Sequence, residues 1–261
     1  FVFGMIPKEI VIMLCNHLQS HDVYTCLFLN KELYSIFITE LWRSPNLSSD
    51  HDIFWLYKHL SQSNHLLCYK IKELHFKCIP RDDHLLDILP LTAKVEKIVI
   101  EQAFKLTDRA LGYISQHCKQ LKHIELQNNK SFTDASTIAL GQCPQLSTVK
   151  LDQCFGLSSR AIEHLVHLPI THLTMSFTNE SAYQVRSLTR LRYLYVTQES
   201  SISRWFFVHL ILDRATGLPY LPNLETLCFG GGLTDPDAVI PFMDTHPSIT
   251  GLQMDGELTD Q

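Results

Sequence analysis

Histidine, cysteine and glycine, which often build catalytic or metal sites, are common in this chain, but their spacing does not assemble such a site. The chain has 14 histidines and 8 cysteines. Zinc-binding sequences place ligands as H-E-x-x-H or C-x-x-C, and pairs such as His164/His167 and His117/His123 complete neither pattern. The glycine triplet 230–232 lacks the Gly-Lys-Ser/Thr of a phosphate-binding loop, and no G-x-S-x-G nucleophile turn occurs. The sequence therefore predicts no catalytic residue, no metal and no cofactor.

Two of the cysteines recur at equivalent places. Cys118 and Cys143 each stand three residues before a leucine, Leu121 and Leu146. Because free cysteine packs as a small apolar residue, we expect both to fill equivalent positions in a core. A chain of 261 residues without an export signal does not need disulfides. The cysteines are therefore predicted to be reduced, and the cytosol or nucleus is the expected compartment.

Two further features of the sequence are candidate sites of chemical modification or reactivity. N-x-S glycosylation tripeptides occur at Asn46, Asn129 and Asn179, but so short a pattern arises by chance and matters only after secretion. Cys228 falls at a predicted exposed strand position, where reactivity would require a lowered thiol pKa. No residue close to it in sequence supplies that shift.

The elements that must position these residues repeat along the chain. Within 121–157 an apolar pattern of the form L-x-x-L-x-L occurs twice, 25 positions apart. Its two copies are Leu121, Ile124, Leu126 and Leu146, Val149, Leu151. Side chains alternate between the faces of a strand, so the last two apolar residues of each copy lie on one side of a short strand. Thr133 and Asp134 then offer capping oxygens to a short helix.

Eight such strands are predicted, at steps of 21 to 33 residues. They begin at Ile71, Val95, Leu121, Leu146, Ile170, Leu191, Leu224 and Ile249. An apolar residue followed by Thr-Asp also recurs, with the pair at 107–108, 133–134, 234–235 and 259–260. Strand, turn and helix in about 25 residues resembles the leucine-rich repeat, and the recurring cysteine resembles its cysteine-containing class. The resemblance implies an α/β solenoid over 71–261, in about eight repeats, with a curved parallel sheet on the concave face and helices on the convex face.

One repeat is longer than the others. A step of 33 residues follows the strand that begins at Leu191, against 21 to 26 elsewhere. The extra length falls at 200–217, which contains the aromatic run 205–207. It forms either a loop on a binding face or a longer buried helix over 203–213, and both interpretations stay open.

The first 47 residues follow no repeat and predict three short helices. Pro7 suits a first helical turn, and Ile10, Met13, Leu14 and Leu18 continue an amphipathic stripe over about 7–19. Asp22 caps a second helix, and a third ends at Pro45. Residues 48–70 predict a helix that links this unit to the repeats.

The opening residues resemble an F-box, on the segments Ile6-Pro7-Lys8-Glu9-Ile10, Asp22-Val23 and Leu41-Trp42-Arg43. The sequence departs from the family pattern at Ile6, where Leu is usual, and at Leu33, where Trp is frequent. The resemblance implies binding to a Skp-type adaptor, which links an F-box protein to the cullin and RING subunits of an SCF ubiquitin ligase. The implied adaptor-binding residues are Pro7, Ile10, Leu14, Leu18, Val23, Leu27 and Leu29. Alternatively, the same residues form only the core of the helical unit.

Substrate recognition is expected on the concave sheet. Strand residues between the buried positions point out of the sheet. The candidates for binding an unidentified protein substrate are Lys97, Glu101, His123, Glu125, Lys150, Asp152, Tyr193 and Tyr195. Because tyrosine is enriched in binding hot spots, Tyr193 and Tyr195 are the first choice, although they could simply cover the sheet.

Composition is that of a folded globular protein, with 45% apolar and 19% charged residues. The net charge of −5 and the lack of a basic run argue against a nucleic-acid partner. The longest apolar run, 205–212, is far shorter than the roughly 20 residues of a membrane span. The chain lacks an initiator Met and ends just after a Leu-Thr-Asp helix start, so we expect it to be a segment of a longer protein.

The resemblance to F-box and leucine-rich-repeat proteins implies a non-catalytic substrate receptor of an SCF ubiquitin ligase, which directs its substrate to degradation. The alternative is a repeat scaffold outside the ubiquitin pathway, whose N-terminal helices cap the solenoid.

Overall fold

The chain forms one parallel sheet with helical segments between its strands, as seen in a computed structural model. The structure describes residues 7–15, 17–18, 20–62, 67–197, 202–213, 216–230, 237 and 239–254. The strands are β1 (Asn46–Leu47), β2 (Glu73–Phe76), β3 (Lys97–Ile100), β4 (His123–Asn129), β5 (Thr148–Cys154), β6 (His172–Met175), β7 (Tyr193–Val196), β8 (Thr226–Phe229) and β9 (Gly251–Met254). They lie side by side in chain order, every neighbouring pair parallel.

Helices occupy the connections and the N-terminal region. They are α1 (Lys8–Cys15), α2 (Ser20–Cys26), α3 (Lys31–Arg43), α4 (Asp50–Gln62), α5 (Asp82–Ile88), α6 (Asp108–His117), α7 (Asp134–Leu140), α8 (Ala182–Val185), α9 (Arg204–Val208) and α10 (Val239–Thr245). Short 3₁₀ segments cover Leu89–Leu91, Ser159–His164 and Asn179–Ser181. None of the helices formed by the described residues is both long and apolar enough to cross a bilayer.

The sequence correctly predicted an open α/β repeat array. The eight predicted strands are β2 to β9, and the apolar positions of β2 to β8 are buried in one core that also includes apolar helix residues. In the last repeat Ile249 joins this core, whereas Leu252 of β9 is 44% exposed. Strand β1 was not predicted, because two residues are too few to show a period. It pairs with β2 through Asn46 opposite His75 and Leu47 opposite Phe76, and so adds a ninth strand at the sheet edge.

The recurring Thr-Asp pair makes hydrogen bonds both within its own helix and to the neighbouring repeat. Thr107 and Thr133 cap α6 and α7, each accepting a hydrogen bond from the backbone N–H two residues later. The aspartate at the start of one helix reaches the cap of the next. Asp82 accepts the Thr107 backbone N–H at 3.0 Å and its hydroxyl at 2.6 Å. The pairs at 234–235 and 259–260 lie outside the described residues.

Helix length varies with repeat length. The shortest step, 21 residues, leaves room only for the 3₁₀ turn Asn179–Ser181 and the four residues of α8. In the longest repeat, α9 buries Phe206 and Phe207 and exposes Trp205. In the described part of this insertion the buried-helix interpretation applies, over a shorter range than 203–213. Residues 200–201 and 214–215 lie outside the described part of the chain.

All eight cysteines are free. Cys118 and Cys143 are fully buried, as expected, and desolvation raises the pKa of the Cys118 thiol to about 12 and that of Cys143 to about 11. The expected exposure of Cys228 is wrong. Its side chain is buried because it lies in register between the longer side chains of Tyr195 and Gln253.

Asn129 also lies in the interior, at the end of β4. Its side-chain amide donates to the carbonyl oxygens of Ala103 and Leu106, and its Oδ1 accepts the backbone N–H groups of Ser131 and Phe132. Every polar atom of this side chain is thereby satisfied. The Asn129 tripeptide is consequently a structural feature and is inaccessible for glycosylation in the folded chain.

The first three helices form a unit, hereafter the helical unit (α1–α3), with a core of its own. Its buried side chains are Val11, Cys15, Val23, Leu27, Leu33, Ile36 and Phe37. Two polar contacts join the unit to the rest of the chain. Lys70 Nζ, at the end of the linker, donates to Thr39 Oγ1 at 2.8 Å, and Arg43 forms an ion pair with Glu73 of the first repeat at 3.6 Å. Trp42 packs against the repeat core.

Candidate protein-binding surfaces

Lateral register places the predicted substrate residues on one side of the sheet, hereafter the open face. Lys97 lies opposite His123, and Glu125 opposite Lys150. Tyr193 and Tyr195 lie beside His172 and Thr174 of the preceding strand. All eight predicted residues are half-buried, which leaves part of each side chain accessible. Their role in substrate binding stays a prediction.

Glu125 is the centre of the charged part of the open face. Its carboxylate lies 3.2 Å from Lys150 Nζ and accepts the Gln127 amide at 3.0 Å. Burial alone would raise the pKa of Glu125, but Lys150 and the hydrogen bonds outweigh it and hold the pKa below its ordinary value. Glu125 is therefore ionised at neutral pH.

His123 lies between two lysines on the same surface. Burial, followed by the charges of Lys97 and Lys150, lowers its pKa, and the Glu125 carboxylate opposes the shift from 3.5 Å. His123 is therefore neutral at pH 7. Because His123 is neutral, Lys97 and Lys150 are the positively charged side chains that a partner would contact on this part of the open face.

A shallow depression of about 390 Å³ opens at the β2–β4 end of the open face. Glu101 borders it and lies 2.6 Å from His75 Nε2. The remaining lining residues are Ser44, Glu73, Leu74, Lys97, Val99, Glu125 and Gln127. The mixed charge of these walls suits polar side chains of a protein partner.

The second half of the open face carries aromatic and small polar groups. Tyr193 stacks on His172 with ring centroids 5.8 Å apart. Burial, with help from Lys150 and Arg192, lowers the pKa of His172, so its imidazole is uncharged at neutral pH. The open face thus changes from charged to aromatic along the repeat axis.

A charged rim precedes the strands and was missed by sequence reasoning. Glu96 accepts from Lys72 Nζ and Lys122 Nζ, each at 2.8 Å, and these two hydrogen bonds lower its pKa to about 2. The three residues stand just before β2, β3 and β4. The signal was available as opposite charges at equivalent positions of successive repeats.

The helical unit presents the second surface. Ile10 and Leu14 are 48% and 51% exposed, and Pro7, Leu18 and Leu29 are exposed as well. Val23 and Leu27 were expected to contact the adaptor, but their side chains are only 7% and 8% exposed because they pack inside the unit. Met13, which the sequence placed in the stripe but not among the adaptor-binding residues, is also exposed, and so is Phe28, which the sequence did not single out. Ile6 lies outside the described residues.

Helix α1 exposes three of its large apolar side chains. Val11 and Cys15 face the core of the helical unit, whereas Ile10, Met13 and Leu14 face away from it. Residues three and four apart lie on one side of a helix, so these three form a continuous stripe.

Among the described residues, no group of three or more His, Cys, Asp or Glu side chains is placed to hold a metal ion.

Comparisons with known proteins bear on both surfaces. No protein-family model matches the chain. The chain is 31% identical over 64 residues to the F-box protein COS111 of Yarrowia lipolytica, which covers 24% of this chain and only 12% of that protein. A chain in the crystal structure of the Rad7 and Elc1 complex from yeast matches with a TM-score of 0.50 at 15% identity, over 97% of this chain and 78% of that chain. The first match supports the resemblance to F-box proteins at a coarse level, and the second shows a shared fold.

Proposed function

We propose that this chain is the substrate-recognition subunit of an SCF-type E3 ubiquitin ligase. In this proposal the helical unit is an F-box that binds a Skp-type adaptor, and the adaptor provides the link to cullin and RING subunits. The open face holds a protein substrate for ubiquitin-dependent degradation in the cytosol or nucleus. The chain itself contributes no chemistry.

The outward apolar stripe of α1 is the observation that carries the proposal. Large apolar side chains exposed together on a soluble protein mark interaction surfaces. Ile10, Met13 and Leu14 are not used by the core of the helical unit, which is built from Val11, Cys15 and residues of α2 and α3. An amphipathic helix with this outward stripe suits a groove on a partner protein.

Ubiquitin transfer would be accelerated by proximity alone. A receptor that holds adaptor and substrate on separate surfaces raises the effective concentration of substrate near the conjugating enzyme. The two surfaces belong to different parts of the chain, the helical unit and β3–β8. One receptor can therefore engage both partners at once.

Co-expression with a Skp-type adaptor tests the proposal. Wild-type chain is expected to co-purify with the adaptor, and the double variant I10D/L14D is expected to lose it because two carboxylates cannot be desolvated in an apolar groove. The matched control is I138D/I240D, which places the same change at 49% and 59% exposed isoleucines of α7 and α10. Failure of the wild-type chain to bind, or equal binding by I10D/L14D, would refute the assignment.

A second candidate is a repeat scaffold in which the helical unit is only a cap. The contacts of Thr39, Trp42 and Arg43 with the linker and the first repeat favour it. Removing residues 7–44 keeps β1 and separates the two ideas. Aggregation of the remainder would support the cap, whereas a soluble remainder that has lost only adaptor binding would support the receptor.

A further inference from the structure

Among the residues that the structure describes, no strand pairs with the outer edge of β1. This strand is the first in the described sheet, and its partner within that part of the chain is β2, on its inner side. The Leu47 carbonyl oxygen accepts the Lys77 backbone N–H at 3.0 Å, so Leu47 turns its backbone groups toward β2. Successive residues of a strand alternate in this direction, and the N–H and C=O of Asn46 therefore point toward the free edge.

An apolar groove, hereafter the edge groove, includes both residues of β1, Asn46 and Leu47, in its lining. It has a volume of about 510 Å³ and runs between α2, α3, β1 and α4. Its lining residues are Tyr24, Leu27, Ile38, Leu41, Trp42, Pro45, Asn46, Leu47, Asp52, Trp55 and Leu56. A volume of several hundred Å³ with mostly apolar walls and few polar groups is typical of a ligand site.

Two tryptophans form one wall of the edge groove. The rings of Trp42 and Trp55 are stacked, with centroids 5.9 Å apart and planes inclined by 15°. Trp55 is held in turn by His59, whose ring lies 3.7 Å away. Asp52, the acidic residue of the lining, accepts the Ser48 backbone N–H at 3.0 Å. The wall therefore offers apolar contact with little exposed charge.

We propose that the edge groove binds an uncharged, extended peptide segment of a protein partner. The segment adds to the sheet beside β1, pairing its backbone with Asn46 and placing an aliphatic or aromatic side chain against Trp42 and Trp55. Strand addition suits this site because main-chain hydrogen bonds and an apolar pocket stand side by side. The site is separate from the α1 stripe and from the open face, and it does not rest on the proposed ligase function.

Tryptophan fluorescence reports directly on the edge groove. The chain has three tryptophans, and two of them line the groove. Trp205→Phe removes the third, which is exposed on α9, and leaves a chain whose emission comes only from the site. The probes are the complete set of tetrapeptides that can be built from Val, Ile, Leu, Phe, Thr and Ser, and each peptide is N-acetylated and C-amidated. We expect a saturable emission change with a subset of them.

Backbone pairing is tested on both sides of the contact. N-methylation of the best peptide removes its amide donors and should weaken binding at least tenfold. Asn46→Pro removes the edge-facing N–H, which the β1–β2 ladder does not use, and should weaken binding by the same factor. Asn46→Ala loses the hydrogen bond from Ser48 Oγ but keeps the backbone donor, so it should bind like wild type.

Several results would overturn the proposal. It is refuted if no tetrapeptide changes the emission, if the N-methylated peptide binds as tightly as its parent, or if Asn46→Pro binds as tightly as Asn46→Ala. Saturation by toluene, which does not absorb at the wavelength that excites tryptophan, with exclusion of every peptide would identify a small-molecule pocket instead. If Asn46→Pro lowers the melting temperature, the N-methylation series on the otherwise native chain still decides the matter.

Discussion

Thr133 donates both its backbone N–H and its hydroxyl to the carboxylate of Asp108, at 2.9 Å and 2.7 Å, across the boundary between two repeats. The Ser136 hydroxyl donates to the same carboxylate. Asp134 and Ser158 repeat the arrangement one unit further on. Each aspartate thus connects the start of its own helix to the start of the next. Stacking of the repeats is therefore specified by polar contacts as well as by the apolar core.

Asp108→Asn should destabilise the fold by about 1–3 kcal/mol, because the amide nitrogen cannot accept the hydrogen bonds that the second carboxylate oxygen accepts. The matched control is Asp83→Asn, an exposed aspartate in the first turn of α5. It loses the same helix-dipole interaction, worth about 0.3–1 kcal/mol, without an inter-repeat bond. Urea unfolding measures both changes. Equal losses in the two variants would show that the bridge to Thr133 contributes nothing.

The Glu96 bridge should make stability depend on pH in the acid range. Its pKa lies near 2 in the folded chain, against 4.5 for an ordinary glutamate. A lowered carboxyl pKa stabilises the fold above the unfolded-state value, and this contribution disappears as the pH falls from 4.5 toward 2. Glu96→Gln should therefore cost stability near neutral pH and progressively less in acid.

The expected size of the Glu96 effect is small because the group is partly exposed. Bridges of this kind contribute about 0.2–1 kcal/mol and are screened by salt. Urea unfolding of wild type and Glu96→Gln, at pH values above and below 4.5 and at low and high salt, measures it. A difference between the two proteins that grew on acidification would contradict the assigned pKa direction.

Two glycines should respond in opposite ways to alanine. A Cβ on Gly156 would overlap the Phe132 carbonyl oxygen of the preceding repeat, so Gly156→Ala should destabilise by about 1–3 kcal/mol. Gly112 lies inside α6, and apart from the adjacent backbone of that helix no heavy atom comes within 4 Å of its Cβ position. Gly112→Ala should therefore stabilise by about 0.5–1 kcal/mol. Thermal unfolding of the pair gives the sign of each change, and a stabilising Gly156→Ala would rule out the close approach.

The double variant Y193A/Y195A should lose substrate while keeping adaptor. Hot-spot tyrosines each contribute about 2 kcal/mol or more, so capture should fall at least about 30-fold. The control Y57A/Y69A removes two exposed tyrosines of α4 and the following turn, away from the open face. Quantitative affinity capture measures how much of each protein retained by the wild-type chain is also retained by the two variants. Unchanged capture by Y193A/Y195A would leave these tyrosines as mere cover for the sheet.

Much of the architecture was predictable because it depends on short-range rules. The L-x-x-L-x-L period located β2 to β9, since strand alternation is a local property of the backbone. The Thr-Asp signature correctly located the starts of α6 and α7. The apolar stripe of α1 was visible as well. Its direction was not, because a stripe alone does not say whether a core or a partner will cover it.

The remaining features depend on which residues become neighbours. Cys228 is buried by the flanking Tyr195 and Gln253, which are 33 and 25 residues away in the chain. The Asp108–Thr133 bridge and the edge groove likewise join residues that meet only when repeats and helices pack together. Periodicity along one dimension was enough to predict strands, helices and their order. Lateral register and the packing of the helical unit against β1 decided the contacts, because these depend on distances between segments that no local pattern encodes.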